Sequence, residues 1–440
     1  MSRMWSELWR SASHTCSKSV ERMVMGLSRH NGIRVKATHA VVAAFVFLVA
    51  GQGLGNSTAE QLNTPAQPVS TLYFGMHIHR AATTTSWPTI QFGSWRLWDA
   101  DVAWAQLEPR RGEWHFDLLD KYVALAERHH VGILLTLGLT PQWASARPNE
   151  ASAYQLGNAA EPEDLKDWRD YVQAVATRYE GKINEYEIWN EPYDRKSYSG
   201  DVGTMVTMTR QAAEIIKHVD EKNTVISAAS SGSYGLSWFR QYISAGAGDC
   251  VDGIGYHLYV FPDPPEKMLA LISSVREVMA ERGLANKPLW NTESGWAKPK
   301  LFPNDSEAAA YVSRSYILNW AAGVGRFYWY AWDNHNWVTL ELTDRRTQLP
   351  TAAATGYAKT EAWLVGAVMK SCVSRSDGTW IAELTRGKSR SWIVWNPSGS
   401  AEFRIPSTWR VRSATSLNGT DYKIPGTSVA VGFSPLLLHY

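Results

Sequence analysis

From residue 71 onward the chain repeats one unit, a short β-rich run followed by a longer stretch with helical spacing. Strands are expected at 72–77, 94–98, 131–137, 183–189, 224–229, 253–259, 288–292 and 325–330. Between them, Leu119, Tyr122, Val123 and Ala126 share one face of a helix over 118–130, and 202–219 shows the same spacing. Such alternation builds a parallel sheet covered by helices. Eight units in about 260 residues is the size of a (β/α)8 barrel, the TIM barrel, and defines an α/β fold. A doubly wound nucleotide-binding sheet lacks support, because no Gly-x-Gly-x-x-Gly turn follows any strand.

The flanking segments read differently. Residues 40–50 form an eleven-residue apolar run preceded by Arg34, Lys36 and His39, with small residues at Ser57, Thr58 and Ala59. That is the length of a signal-peptide core and short of the roughly 20 residues that span a bilayer. Residues 1–59 are therefore expected to be a signal peptide or an uncleaved signal anchor. Either would export the body to the periplasm or the outside, and the anchor would tie it to the inner membrane. Residues 60–70 read as a linker, 71–370 as the barrel. Residues 371–440, with short alternating runs broken by Gly, Pro, Ser and Asn, read as a small antiparallel, β-sandwich-like module. One more helix, running to about Met369, is expected to close the barrel.

The formal charge of +2 is carried by the amino terminus, where the first 39 residues hold seven Lys/Arg against two Asp/Glu; without them the balance is −3. A body so charged has no electrostatic footprint for nucleic acid. The 22 Trp are expected to lie partly on open surfaces, since a buried indole N–H needs a partner. Cys250 and Cys372 have no metal-ligand spacing and are expected to be buried thiols, with a mutual bridge as the alternative.

Two segments carry the chemistry. Tyr186-Glu187-Ile188-Trp189-Asn190-Glu191-Pro192 ends the fourth expected strand, and Leu289-Trp290-Asn291-Thr292-Glu293-Ser294-Gly295-Trp296 ends the seventh. Barrel enzymes gather reacting groups at the carboxyl ends of strands, so Glu191 and Glu293 can meet although 102 positions apart. Paired carboxylates are what glycoside hydrolysis requires. A single strand-end Glu would more often be a salt-bridged rim residue; two, each among Trp and Asn, shift the balance to catalysis.

The Trp-Asn-Glu-Pro run with a Glu ending strand seven resembles clan A of the glycoside hydrolases. Phe92-Gly93-Ser94-Trp95-Arg96-Leu97-Trp98-Asp99, then Leu107-Glu108-Pro109, Gly112-Glu113-Trp114-His115-Phe116 and Pro141-Gln142-Trp143-Ala144-Ser145, are similar to family 39. That family holds β-xylosidases, α-iduronidases and endo-acting enzymes linked to bacterial exopolysaccharide. The resemblance implies a retaining glycosidase with Glu191 as acid/base, Glu293 as nucleophile and no cofactor or metal.

Around this pair, Asn190 is expected at the sugar 2-hydroxyl. Tyr259 is expected on Glu293, and His257 lies on the same strand face. Arg96 is assigned either to Glu293 or to an internal ion pair with Glu187. His77 and His79 share a face at the end of strand one, as substrate contacts or structural histidines; as a metal pair they lack further ligands. Trp143, Trp296 and Trp332 follow strands three, seven and eight, as subsite walls or core. The implied activity is cleavage of β-linked polysaccharide, endo-acting on exopolysaccharide or plant glycan. The alternatives are an exo-acting β-xylosidase type, a transglycosylase, and a silent glycan-binding barrel.

Overall fold

The computed structural model describes residues 60–334, 336 and 338–440. Eight parallel strands form the barrel, Phe74–His77, Ser94–Leu97, Gly132–Leu137, Glu185–Ile188, Thr224–Ile226, Ile254–His257, Leu289–Ser294 and Val324–Trp329. Each expected strand is found, several of them shorter than expected. The first begins late because Thr71–Tyr73 makes a 3-10 turn capped by the Ser70 side chain. The seventh runs on through Ser294, which places Glu293 inside a strand and not beyond one.

The fifth strand is broken. Thr224–Ile226 pairs with strand four, while the separate piece Ser230–Ser231 pairs with strand six. Parallel bridges Asn190–Ala229 and Ile226–Gly253 span the break. The sheet therefore closes around eight positions, and the break lies beside the segment that carries Glu191.

Helices cover the outside as the periodicity requires. Asp117–His129 carries Asp117 and Asp120 in its first turn and Arg128 and His129 in its last, matching the helix dipole. Val202–Val219 is capped by the Asp201 carboxylate, which accepts from the Thr204 N–H. Helix Asp305–Ala321 is buried along almost its whole length, because Ala352–Leu364 crosses it closely. At the crossing a Cβ on Gly356 would sit 2.6 Å from the Ala309 carbonyl oxygen.

Several expectations need correction. The closing helix stops at Leu364 and not near Met369, since Gly366 takes φ +79° and Val368–Ser374 becomes a strand. Residues 60–70 are not a free linker. Glu60 and Gln61 pair antiparallel with Ser374 and Val373, and Val69 bridges Val365. Backbone pairing of this kind leaves no hydrophobic period to read. The carboxyl-terminal part contributes six strands, and Glu60–Gln61 the seventh, to a sheet whose pairs are all antiparallel, with a separate hairpin of Ala401–Arg404 and Ser428–Val431. One face of the sheet, with Trp380, Leu384 and Trp395, joins the barrel core. Around Trp392, Phe403 and Leu438 a smaller second core forms.

The expectation about Trp also fails for much of the chain. Trp95, Trp168, Trp189 and Trp296 are fully buried. Each indole N–H is satisfied by a main-chain carbonyl, of Ile78, Met208, Ser197 and Asp263 respectively. A main-chain carbonyl that meets each indole N–H makes complete burial affordable. Cys250 is half-buried and bonds the Ala247 carbonyl; Cys372 is buried in the terminal sheet, and no bridge joins the two. The run 40–50 lies outside the described residues. Among those described, no helix is long and apolar enough to cross a membrane.

Candidate active site

The centre of the barrel mouth is organised by Arg96. This wholly buried guanidinium donates from Nε to Glu187 Oε2 at 2.6 Å, from Nη1 to Glu293 Oε2 at 2.8 Å and from Nη2 to Asn190 Oδ1 at 2.7 Å. The two roles considered for Arg96 are therefore held together. Burial alone would disfavour its charge, but Glu187 and Glu293 outweigh that and raise its pKa. A planar fork can serve three acceptors from fixed positions, which a lysine cannot.

Glu293 is bound on its second oxygen as well, where the Tyr259 hydroxyl donates to Oε1 at 3.0 Å. Burial and the adjoining Glu293 charge push the Tyr259 hydroxyl well above the usual tyrosine value, so it keeps its proton and donates. Glu191 leaves the strand through an unusual backbone: Trp189 has φ +62° and Glu191 +47°. Such left-handed conformations cost a non-glycine residue about 1–3 kcal/mol and persist where the surroundings impose them. Here the Glu191 N–H donates to the Ala229 carbonyl at 2.9 Å, tying the turn to the broken fifth strand.

His257 lies between the two carboxylates, its Nδ1 2.9 Å from Glu191 Oε1 and 3.9 Å from Glu293 Oε1. Oxygens of both glutamates and this nitrogen fall within 4.8 Å of one another. Three such donors could hold a cation, but the positive charge at Glu293 is already supplied by Arg96. In the ligand-free pair Glu191 is the more acidic carboxyl and Glu293 the less. Burial raises Glu293 beyond what His257 and Arg96 restore, and the Glu191 charge raises it further. Burial also works on Glu191, yet the hydrogen bond and charge of His257 leave its pKa lowered. The Glu191 side chain is also the more open, 23 % exposed against 7 % for Glu293.

His77 and His79 do share a face, both rings packing on Tyr330 at centroid distances of 4.9 and 5.0 Å. His77 is held neutral, since burial and the nearby Arg96 push its pKa well below the usual value. Its Nε2 donates to the Thr292 carbonyl at 3.2 Å, and its Nδ1 has no partner among the described residues. His79 contacts Asp333 through Nδ1 at 3.1 Å, leaving Nε2 without one. Trp332 is buried, and its indole N–H is likewise unmatched.

The other two tryptophans are placed as structure. Trp296 is buried against Trp329 and Tyr311. Trp143 donates to the Glu108 carbonyl and carries the Arg111 guanidinium on its ring, 4.4 Å from the centroid. Sequence reasoning missed Asp99, Tyr330 and Tyr154. The Tyr330 hydroxyl donates to Asp99 Oδ2 at 2.7 Å, and Trp98 donates to the Tyr154 hydroxyl at 2.9 Å. Asp99 and Tyr330 are strand-end residues and could have been found by that rule; Tyr154 sits in a long loop and carries no local signal.

The class is defined by a barrel that carries Glu191 and Glu293 at the ends of strands four and seven, the first held by His257 and the second by Arg96. The chain's similarities, in sequence over part of it and in fold over most of it, are to glycoside hydrolases of clan A. The family model for glycosyl hydrolase family 10 matches residues 76–213. A β-xylosidase from Geobacillus stearothermophilus is 24% identical over 228 residues, covering 45% of this chain and 44% of that one. Endo-1,4-beta-xylanase 2 of Claviceps purpurea is 35% identical over 89 residues, 20% of this chain and 25% of that one. The chain thus spans less than half the length of these curated relatives. Among solved structures, a family 39 glycoside hydrolase from Bacteroides cellulosilyticus superposes with TM-score 0.66 at 17% identity, over 79% of this chain and 75% of that one. A monomeric β-xylosidase from Caulobacter crescentus gives 0.62 at 14%, over 86% and 97%. The likeness to family 39 is one of fold.

Proposed function

We propose that the chain is a retaining β-glycoside hydrolase of xylanase/xylosidase type, with Glu293 as nucleophile and Glu191 as acid/base. The observation that carries this is the close approach of the two carboxylates, within 4.8 Å at their nearest oxygens, with Arg96 and Tyr259 on opposite oxygens of Glu293. A retaining pair stands about 5–5.5 Å apart, whereas an inverting pair leaves roughly 6.5–9.5 Å for a water.

In the first step a Glu293 oxygen attacks the anomeric carbon while the glycosidic C–O bond breaks, and Glu191 gives its proton to the leaving oxygen. The product is a glycosyl ester on Glu293. Water then attacks the same carbon, Glu191 takes its proton, and the ester bond breaks to release Glu293. Because the Asn190 carbonyl oxygen is occupied by Arg96, its amide N–H groups are presented to the sugar 2-hydroxyl. Substrate entering against Glu191 displaces water from its open side and raises its pKa, moving the shared proton to the residue that must donate it. The unmatched atoms of His77, His79 and Trp332 are buried polar groups that sugar hydroxyls would satisfy.

Internal cleavage of a bacterial or plant polysaccharide, by a chain exported through residues 1–59, is the finer form of this proposal. The match to an endo-xylanase supports it, and that to a β-xylosidase favours exo action instead. Incubation with xylan and a panel of exopolysaccharides decides. Internal action releases mixed oligosaccharides, exo action only the terminal sugar. Proton NMR of the first product should show the β anomer. Glu293→Gln should lower kcat by about 10^4-fold or more, and near-native turnover by that variant would overturn the assignment.

A further inference from the structure

Glu191 sits on a backbone that needs bracing from outside itself. Left-handed φ values at Trp189 and Glu191 flank Asn190, and such a turn persists only where its surroundings impose it. One brace is the bond from the Glu191 N–H to the Ala229 carbonyl. The other is the loop after strand four, which folds back on the turn. There the Trp189 indole N–H donates to the Ser197 carbonyl at 2.9 Å, and the Tyr198 ring packs edge-on against Trp189 with centroids 5.2 Å apart. The Asp194 N–H donates to the Glu191 carbonyl, and the Ser197 and Tyr198 N–H groups donate to the Asp194 carbonyl. Residues 191–198 thus form one compact piece, and whatever holds that piece also holds Glu191.

The hold comes from the loop after strand three. Arg147 on that loop donates from Nη2 to Ser199 Oγ at 2.7 Å, and Ser199 is buried. The same guanidinium grips Glu161 through both amino groups, at 2.8 and 2.6 Å, and Glu150 through Nε at 2.7 Å. Ser199 Oγ in turn donates to Glu150 Oε2 at 2.6 Å, which closes a triangle of bonds between the two loops. By drawing Glu150 and Glu161 onto one cation, Arg147 also shapes the loop whose Ala159 carbonyl accepts from the Ser199 N–H and whose Ala153 N–H donates to the Lys196 carbonyl. A lone surface ion pair contributes little, but a bidentate arginine within a network is the exception. We propose that Arg147, acting through Ser199, is a positioning residue for the acid/base, fastening the strand-four loop so that Glu191 stays where its proton meets the departing oxygen. The proposal rests on the hydrolase reading of Glu191.

A misplaced general acid harms a leaving group that needs a proton and spares one that does not. The test therefore compares kcat/KM on phenyl β-xyloside and on 2,4-dinitrophenyl β-xyloside. In Arg147→Met the value for the phenyl glycoside should fall about tenfold or more, and that for the dinitrophenyl glycoside less than about twofold. Ser199→Ala keeps the pairs of Arg147 with Glu150 and Glu161, and it carries the test if Arg147→Met does not fold. It should move the ratio the same way, by about threefold. An unchanged ratio, or an equal loss on both glycosides, would overturn the proposal, because a merely structural arginine lowers both alike. Deuterium uptake by the peptide carrying Glu191 supplies a readout that needs no turnover. It should speed up in both variants while peptides from the other barrel strands keep wild-type protection, and uptake at the wild-type rate removes the brace. Failure of the hydrolase reading looks different, because wild type then releases phenol from neither glycoside while the uptake comparison still decides.

Discussion

Arg96 Nη1 lies 2.8 Å from Glu293 Oε2 in a site where the arginine has no exposure to solvent, so the charge on one depends on the charge of the other. The same guanidinium also fixes Glu187 and Asn190, joining strand two to strands four and seven. Arg96→Lys should therefore fail in two ways. A lysine cannot reach all three acceptors, and a buried carboxylate left unpaired costs about 3–5 kcal/mol. We expect a fall in melting temperature together with at least a hundredfold loss of kcat. Unfolding scans and steady-state kinetics on the same preparation measure both. Retention of either would show the three-way clasp to be dispensable.

The pH profile should be a bell whose limbs belong to the coupled pair. Glu293 must be charged to attack, so activity rises as pH climbs through its pKa. Tyr259→Phe removes a donor to that carboxylate and disfavours the charged form, which moves the acidic limb to higher pH. Glu191 must hold a proton, and its pKa is lowered by His257. His257→Ala lifts that restraint, so the basic limb should also move up. Measuring kcat/KM against pH for the three proteins separates the effects; a variant with both limbs unmoved would remove its residue from the network.

Asp333 predicts a stability effect away from the reacting atoms. Its carboxylate accepts from the main-chain N–H of His79 and Arg80 and from the Thr85 hydroxyl, and it faces His79 Nδ1. Burial is outweighed by these bonds, so the folded-state pKa is well depressed. A depressed acid contributes stability that is present above its unfolded pKa of about 3.9 and is lost as pH falls through the folded value. Asp333→Asn should cost about 2–4 kcal/mol near neutrality. Denaturant midpoints of the two proteins should converge as pH falls below about 4. A constant gap would place the loss elsewhere.

The terminal sheet should not be separable. Trp380 and Trp395 stack at 5.7 Å within the cluster that continues into the barrel, and the Trp395 indole donates to Glu266 on the barrel at 3.0 Å. Removing residues 366–440 would expose that apolar face and leave the strand at Glu60–Gln61 unpaired. We expect aggregated or protease-sensitive protein, read by soluble yield and limited proteolysis. A soluble, cooperatively folding fragment would show the barrel to be autonomous.

The sequence by itself determined the order of barrel strands and the two glutamates, because both signals are local. Apolar period follows from burial of one strip of a helix or both faces of a strand, and a glutamate ending a strand has only one place to go in a barrel. His257 and Tyr259, two residues apart, were legible for the same reason. What those signals could not carry was the direction a ring turns after a strand. Trp296 and Trp332 follow strand ends alike, yet one indole is bonded to Asp263 and the other has no partner among the described residues. Nor could they show that Arg96 serves Glu187 and Glu293 together, that Glu60–Gln61 docks on a strand more than 300 residues away, or that Arg147 on one loop bonds Ser199 on the next. Each of these depends on which distant backbone or side chain arrives alongside. Only closure of the barrel, with its broken fifth strand, decides that.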